Sequence, residues 1–182
     1  MRAGARSFVR EWAILPVSPP VPGMISANDH AAIVDAVYRL GLYADELRWD
    51  DLLTLLAEDV RLDYTSMVGG VAAVVKGTEL ISGWRSYLPG FDSTQHVIAG
   101  VIVDADGDDV AARAQLSATF RIDEQGVQRL WHVAGLYAFT LRRVGGAWRF
   151  VALTLKVAWD AGDPALRDVA AHRVRLGTAK RR

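Results

Sequence analysis

The second half of this chain consists of four long apolar-rich runs, residues 94–103, 109–122, 127–142 and 147–159, separated by Asp-Gly, Glu-Gln-Gly and Gly-Gly. Such separators are tight-turn chemistry. A connection this short can join only antiparallel neighbours, because a parallel pair needs a crossover of a dozen or more residues. The pattern therefore predicts an antiparallel sheet of long strands. In the run 109–122, Val110, Ala112, Ala114, Leu116, Ala118, Phe120 and Ile122 share one face, while Arg113, Gln115, Ser117, Thr119 and Arg121 share the other. That period of two marks a strand with one face on the core.

The first half has helical spacing. Ile33, Val37, Leu40, Ala44 and Leu47 recur at intervals of four and three, one apolar stripe on a helix capped at Asn28 or Asp29 and running to about Leu47. Asp45 falls on the flank of that stripe, roughly 100° round, where a carboxylate can look into a cavity. A second helix starts at Asp50-Asp51 and carries Leu52, Leu53, Leu55 and Leu56; a strand follows over 60–65, with Val60, Leu62 and Tyr64 on one face. The run 71–75 reads as a strand or irregular edge. Residues 78–88 read as a helix ending at Pro89-Gly90, and 163 to about 172 as a last short one. Helices followed by a curved antiparallel sheet make an α+β fold, cone-shaped, with the sheet wrapped on the N-terminal helices. The mouth of such a cone suits a small molecule.

Composition narrows the function. The 182 residues hold 21 Lys and Arg against 21 Asp and Glu, and no cysteine. Without clustered basic residues there is no nucleic-acid footprint. Without cysteine there is no disulfide framework, thiolate metal site or Cys nucleophile. Histidine and carboxylates never take a ligand spacing such as His-x-x-x-His, so no metal or other cofactor is expected. Residues 1–23, with Arg2, Arg6, Arg10 and prolines at 16, 19, 20 and 22, read as a flexible arm. One domain is expected over 24–172 and a basic tail over 173–182. The apolar stretch 8–17 is broken by Arg10, Glu11 and Pro16, so neither an export signal nor a membrane span is read, and a cytoplasmic protein is expected.

The motifs Trp49-Asp50, Arg61-Leu62-Asp63-Tyr64, Thr94-Gln95-His96 and Gly146-Ala147-Trp148-Arg149-Phe150, with Trp159 beyond, carry a resemblance. Over residues 30–162 the chain resembles the SnoaL-like branch of the nuclear transport factor 2 superfamily, whose fold is also called cystatin-like, and within it the scytalone dehydratases. The resemblance implies that Asp45 is the helix carboxylate, Tyr64 a carbonyl-polarising phenol and His96 the base. Asp45 and His96 also match the Asp–His pair of hexachlorocyclohexane dehydrochlorinase. The chain departs from the pattern at Ala44, where a second tyrosine is usual and Tyr43 lies one position away. It departs again at Phe120, in place of a second pocket histidine, and at Tyr137, in place of an asparagine.

Two readings follow. In the first, the protein is a cofactor-free dehydratase-like lyase or an isomerase: His96, oriented by Asp45 and assisted by Tyr64, removes a proton next to a carbonyl of a small cyclic substrate. Tyr43, Trp84, Phe120, His132 and Tyr137 are then candidate pocket residues, although His132 shares strand parity with Leu130, Ala134 and Leu136 and reads first as structural, second as a pocket wall. In the second, the protein is a non-catalytic ligand-binding or dimerisation module. A homodimer is expected in either case, because the strand at 127–142 has large apolar residues on both faces.

Overall fold

A computed structural model describes residues 25–106 and 108–179; the expected arm over 1–23 and residues 180–182 of the tail lie outside them. The first helix, α1 (Ala27–Asp45), is capped by Ser26, whose hydroxyl accepts from the Asp29 N–H at 3.0 Å. The cap thus falls two or three residues before the expected Asn28 or Asp29. Asp29 instead sits in the first turn, where a carboxylate favours the helix dipole. It accepts from Trp148 Nε1 at 2.9 Å and pairs with Arg143, tying the start of α1 to the last hairpin. Ile33, Val37, Leu40 and Ala44 are buried as the spacing predicts. Leu47 lies beyond the helix, with a positive φ of 55°.

Helix α2 (Trp49–Leu55) leads into strand β1 (Leu56–Asp63), a four-residue helix α3 (Thr65–Val68), strand β2 (Ala73–Lys76) and helix α4 (Gly77–Arg85). A 3₁₀ turn over Leu88–Gly90 precedes the four long strands β3 (Ser93–Asp106), β4 (Asp109–Glu124), β5 (Val127–Val144) and β6 (Ala147–Gly162), and α5 (Leu166–Arg175) follows. The sheet order is β2-β1-β6-β5-β4-β3. The long strands pair antiparallel as expected, and β1 lies parallel to β6, an addition to the antiparallel plan. Such a pair needs a long connection, here everything from α3 to β5, so no local turn announces it.

Strand β4 keeps its alternation, with Val110 through Ile122 buried at every second position. The inner faces of β4, β5 and β6 meet α1, α2 and α4 in one core around Phe91, Phe150, Ile33 and Leu52. The pairing of β5 with β6 shifts register at Ala134/Gly135, a bulge that bends the strands and increases their twist. A Cβ on Gly135 would meet the Lys156 carbonyl oxygen at 2.3 Å, so the two main chains touch where the sheet bends. Helix α5 closes over the 3₁₀ turn. Leu166 and Ala170 are buried beneath it, and Arg173 reaches Asp92 and Glu124 at 3.3 Å each.

Among the described residues no helix is long and apolar enough to cross a membrane.

Candidate active site

Asp45 is the last residue of α1, and His96 is the fourth of β3. Gly41, one turn before Asp45, brings their elements together. A Cβ there would lie 3.2 Å from the His96 Cβ and 3.1 Å from Ile98 Cδ1, tighter than an ordinary contact, so the bare Cα lets helix and strand pack this closely without a shift. At that separation the Asp45 carboxylate gathers three donors. Oδ1 accepts from the Thr94 hydroxyl and stands 2.7 Å from His96 Nδ1, while Oδ2 accepts from the His96 backbone N–H at 2.7 Å. Burial pushes the Asp45 carboxyl up, but the His96 ring and backbone, together with the Thr94 hydroxyl, outweigh it and hold the group below its ordinary value. Asp45 is therefore a carboxylate, an acceptor only. The proton between it and Nδ1 belongs to the ring, and in the neutral imidazole Nε2 holds the lone pair.

His96 lines a chamber walled by Leu40, Ile98, Leu116, Ala118, Val133, Leu155 and a set of aromatic residues. Among the described residues the ring makes no second hydrogen bond, and it packs edge to face with Phe120 (centroids 5.4 Å apart, planes at 86°). Phe120 stacks in turn on Trp131. Three phenols line the same chamber, Tyr64, Tyr87 and Tyr137, and two of them are paired. Tyr64 and Tyr137 have their hydroxyl oxygens 3.2 Å apart. Burial first, and then Tyr137, raise the Tyr64 phenol well above its ordinary value; burial also raises Tyr137, with the Tyr64 hydrogen bond opposing it. Both stay neutral O–H groups at physiological pH. Two hydroxyls share one hydrogen bond, so whichever donates, the other keeps an O–H for a third oxygen in the chamber.

Of the residues singled out from sequence, His96, Tyr64, Trp84, Phe120 and Tyr137 line this chamber, and Asp45 stands directly behind His96. Tyr64 arrives by a different route from the one expected. Strand β1 ends at Asp63, and Tyr64 caps α3 rather than continuing a strand face. Two candidates are not brought here. Tyr43 is buried, with its hydroxyl accepting from Arg39 at 2.6 Å and Arg48 over its ring, because it lies two residues round the helix from Asp45. His132 lies on the outer face of the sheet, against Ser117 and Thr119, and stacks on Trp159, as its parity with Leu130 and Ala134 requires.

Sequence reasoning missed Met67 and Arg167. Met67 lines the chamber from α3, which is too short to show a period. Arg167 lines a second chamber that shares Tyr64, Met67, Trp84 and Tyr87 with the first.

Residues 26–154 match the SnoaL-like domain. A dehydratase from Pestalotiopsis microspora is 27% identical over 143 residues, spanning 74% of this chain and 90% of that protein. Among solved structures, a Kribbella flavida protein superposes with a TM-score of 0.69 at 23% identity, covering 81% of this chain and 97% of its own. A Novosphingobium aromaticivorans protein with a provisional scytalone dehydratase assignment gives a TM-score of 0.62 at 18% identity, covering 75% and 88%. At these identities the two superpositions are likenesses of fold.

Proposed function

The chain belongs to the SnoaL-like family of the nuclear transport factor 2 superfamily, and we propose that it is a cofactor-free lyase or isomerase acting on a small cyclic carbonyl compound. The observation that carries this reading is the Asp45–His96 pair at 2.7 Å, set at the wall of an apolar chamber that also holds the paired phenols of Tyr64 and Tyr137. The similarity to a dehydratase over most of both chains supports it.

In the proposed reaction, His96 Nε2 takes the proton α to the carbonyl. As the ring becomes imidazolium, the carboxylate of Asp45 stabilises the new charge across the Nδ1–H bond. Negative charge develops at the same time on the carbonyl oxygen, and the free O–H of the Tyr64–Tyr137 pair donates to it. In a dehydration the imidazolium returns its proton to the departing hydroxyl on the same face of the substrate. Phe120 supplies no second acid, so one histidine performs both transfers. In an isomerisation the proton goes back to another carbon.

Incubating the full chain with a panel of cyclic β-hydroxy ketones in D₂O tests this. Loss of water, or deuterium incorporation next to the carbonyl, is expected for wild type and not for His96→Ala. Equal behaviour of the two folded proteins overturns the reading.

We also propose a homodimer formed through the outer sheet face, in the cytoplasm. Val97, Leu136 and Trp159 are 49%, 53% and 56% exposed there and border one shallow depression, a continuous apolar patch of the kind that marks interfaces.

A further inference from the structure

Among the described residues Arg167 has no counter-ion, and it stands at the edge of an apolar cavity. It projects from the first turn of α5 into the second chamber, beside Leu62, Val75, Leu80 and the aromatic residues shared with the His96 chamber. Its guanidinium lies over the Tyr87 ring, 4.9 Å from the centroid. Among the described residues no carboxylate comes within ion-pair distance, and Nε is buried without an acceptor. The neighbouring acids are engaged elsewhere or exposed. Asp163 pairs with Arg129 and accepts from the Ala165 N–H, and Glu79, which borders the same chamber, accepts from the Lys76 N–H. Burial raises the Tyr87 phenol to about 12 even with Arg167 above it, so this tyrosine offers the cation a π-face and no anionic oxygen.

A buried guanidinium N–H with no acceptor costs free energy unless something supplies one. Stacking on Tyr87 occupies the flat face of the group and leaves its in-plane donors for a planar, bidentate acceptor. A carboxylate has that geometry. We propose that Arg167 is a substrate-anchoring residue, and that the molecule acted on by His96 carries a carboxylate at the end remote from its reacting carbonyl. The carboxylate sits against Arg167 in the outer chamber while the ring passes between Tyr87, Trp84 and Met67 to the inner one. The assignment of the carbonyl end rests on the catalytic reading above. The anchoring of an anion rests on Arg167 itself.

The test is calorimetric titration of the full chain, near neutral pH and low salt, with 2-naphthoate and with 2-naphthamide, which share a shape and differ in charge. Wild type is expected to bind naphthoate roughly tenfold tighter, the scale of one charge-assisted hydrogen bond. Arg167→Gln is expected to bind both alike, with its circular dichroism unchanged. Equal binding of the two probes to wild type, saturable binding of neither, or a preference that survives in folded Arg167→Gln each overturns the proposal. Should Arg167→Gln not fold, the Arg167 Nε–H resonance of wild type decides. A downfield shift with naphthoate and not with naphthamide supports anchoring, and no shift overturns it. Binding needs no turnover, so His96→Ala is expected to keep the charge preference. An inactive wild-type protein that retains the preference removes the catalytic reading and leaves the anchor standing.

Discussion

Asp45 and His96 are 51 positions apart in the chain, yet one carboxylate holds both the backbone N–H and the ring of that histidine. Holding main chain and side chain together fixes the position of the ring and its tautomer at once. Replacing His96 with alanine should therefore remove the base and leave the scaffold, since Asp45 keeps its bonds to the Thr94 hydroxyl and the residue-96 N–H. Turnover is expected to fall by about 10²- to 10⁴-fold, the usual worth of a positioned general base. Steady-state rates alongside a thermal melt check it, and a folded variant with wild-type turnover would sink the assignment.

Asp45 also links the site to acid stability. Its folded-state carboxyl lies below the ordinary value of 3.8, so its contribution is fully present above 3.8 and is lost as pH falls through the folded value. Asp45→Asn cannot titrate. The stability difference between wild type and Asp45→Asn should shrink as pH falls below 3.8 and the carboxylate is protonated. Urea unfolding across that range reads it, and a difference that grows in acid contradicts the expectation. Near neutrality Asp45→Asn should also lose turnover, by less than His96→Ala, because an amide can orient the ring but cannot stabilise its positive form.

Gly41 sets the distance over which the pair acts. Gly41→Val has no room against His96 and Ile98 and should part α1 from β3, costing about 1–3 kcal/mol of stability as overpacking does. The sharper readout is the His96 Nδ1–H proton resonance. It is expected to move upfield as the hydrogen bond lengthens, with turnover falling in step. An unmoved resonance would show that strand and helix can give without disturbing the pair.

The two phenols should back each other up. Tyr64→Phe and Tyr137→Phe each leave one O–H facing the chamber, so either change alone should cost little in kcat. The double variant removes the paired donor while Tyr87 stays, and should lose about 10²- to 10³-fold, the worth of an oxyanion donor. Additive single and double effects would mean that only one hydroxyl meets the substrate.

Self-association is checked on the outer face. Light scattering at micromolar concentration should give twice the chain mass of 19.9 kDa for wild type, and the monomer mass for the double variant Leu136→Glu, Trp159→Glu. A wild-type monomer would refute the interface.

Much of this architecture could be read from the residues alone, for definite reasons. The strict alternation of β4 and the turn chemistry between the long strands are local signals, and they specified the antiparallel half of the sheet. Asp45 could be placed because a flank position on α1 follows from helical spacing. What escaped is what tertiary contact decides. The parallel pairing of β1 with β6 has no local signature. Tyr64 reaches the chamber because the chain turns at Asp63 into a helix too short to show a pattern. Arg167 looks like any surface arginine on a polar helix until Leu166 and Ala170 dock and set it over Tyr87. His132 carried its own answer in its parity with Leu130 and Ala134.

The bend at Gly135 bears on how such a chamber changes over time. The register shifts there at a glycine whose main chain lies against that of Lys156, a feature of the backbone rather than of the inward side chains. Leu116, Val133 and Leu155 can be exchanged for larger or smaller neighbours, and the chamber will take differently shaped guests while its frame and the Asp45–His96 geometry persist. Substitution at Gly135 is another matter, since any side chain there must push β5 off β6 and alter every wall together. Lineages that diversify in substrate should therefore vary freely at the lining and hold still at the hinge of the sheet.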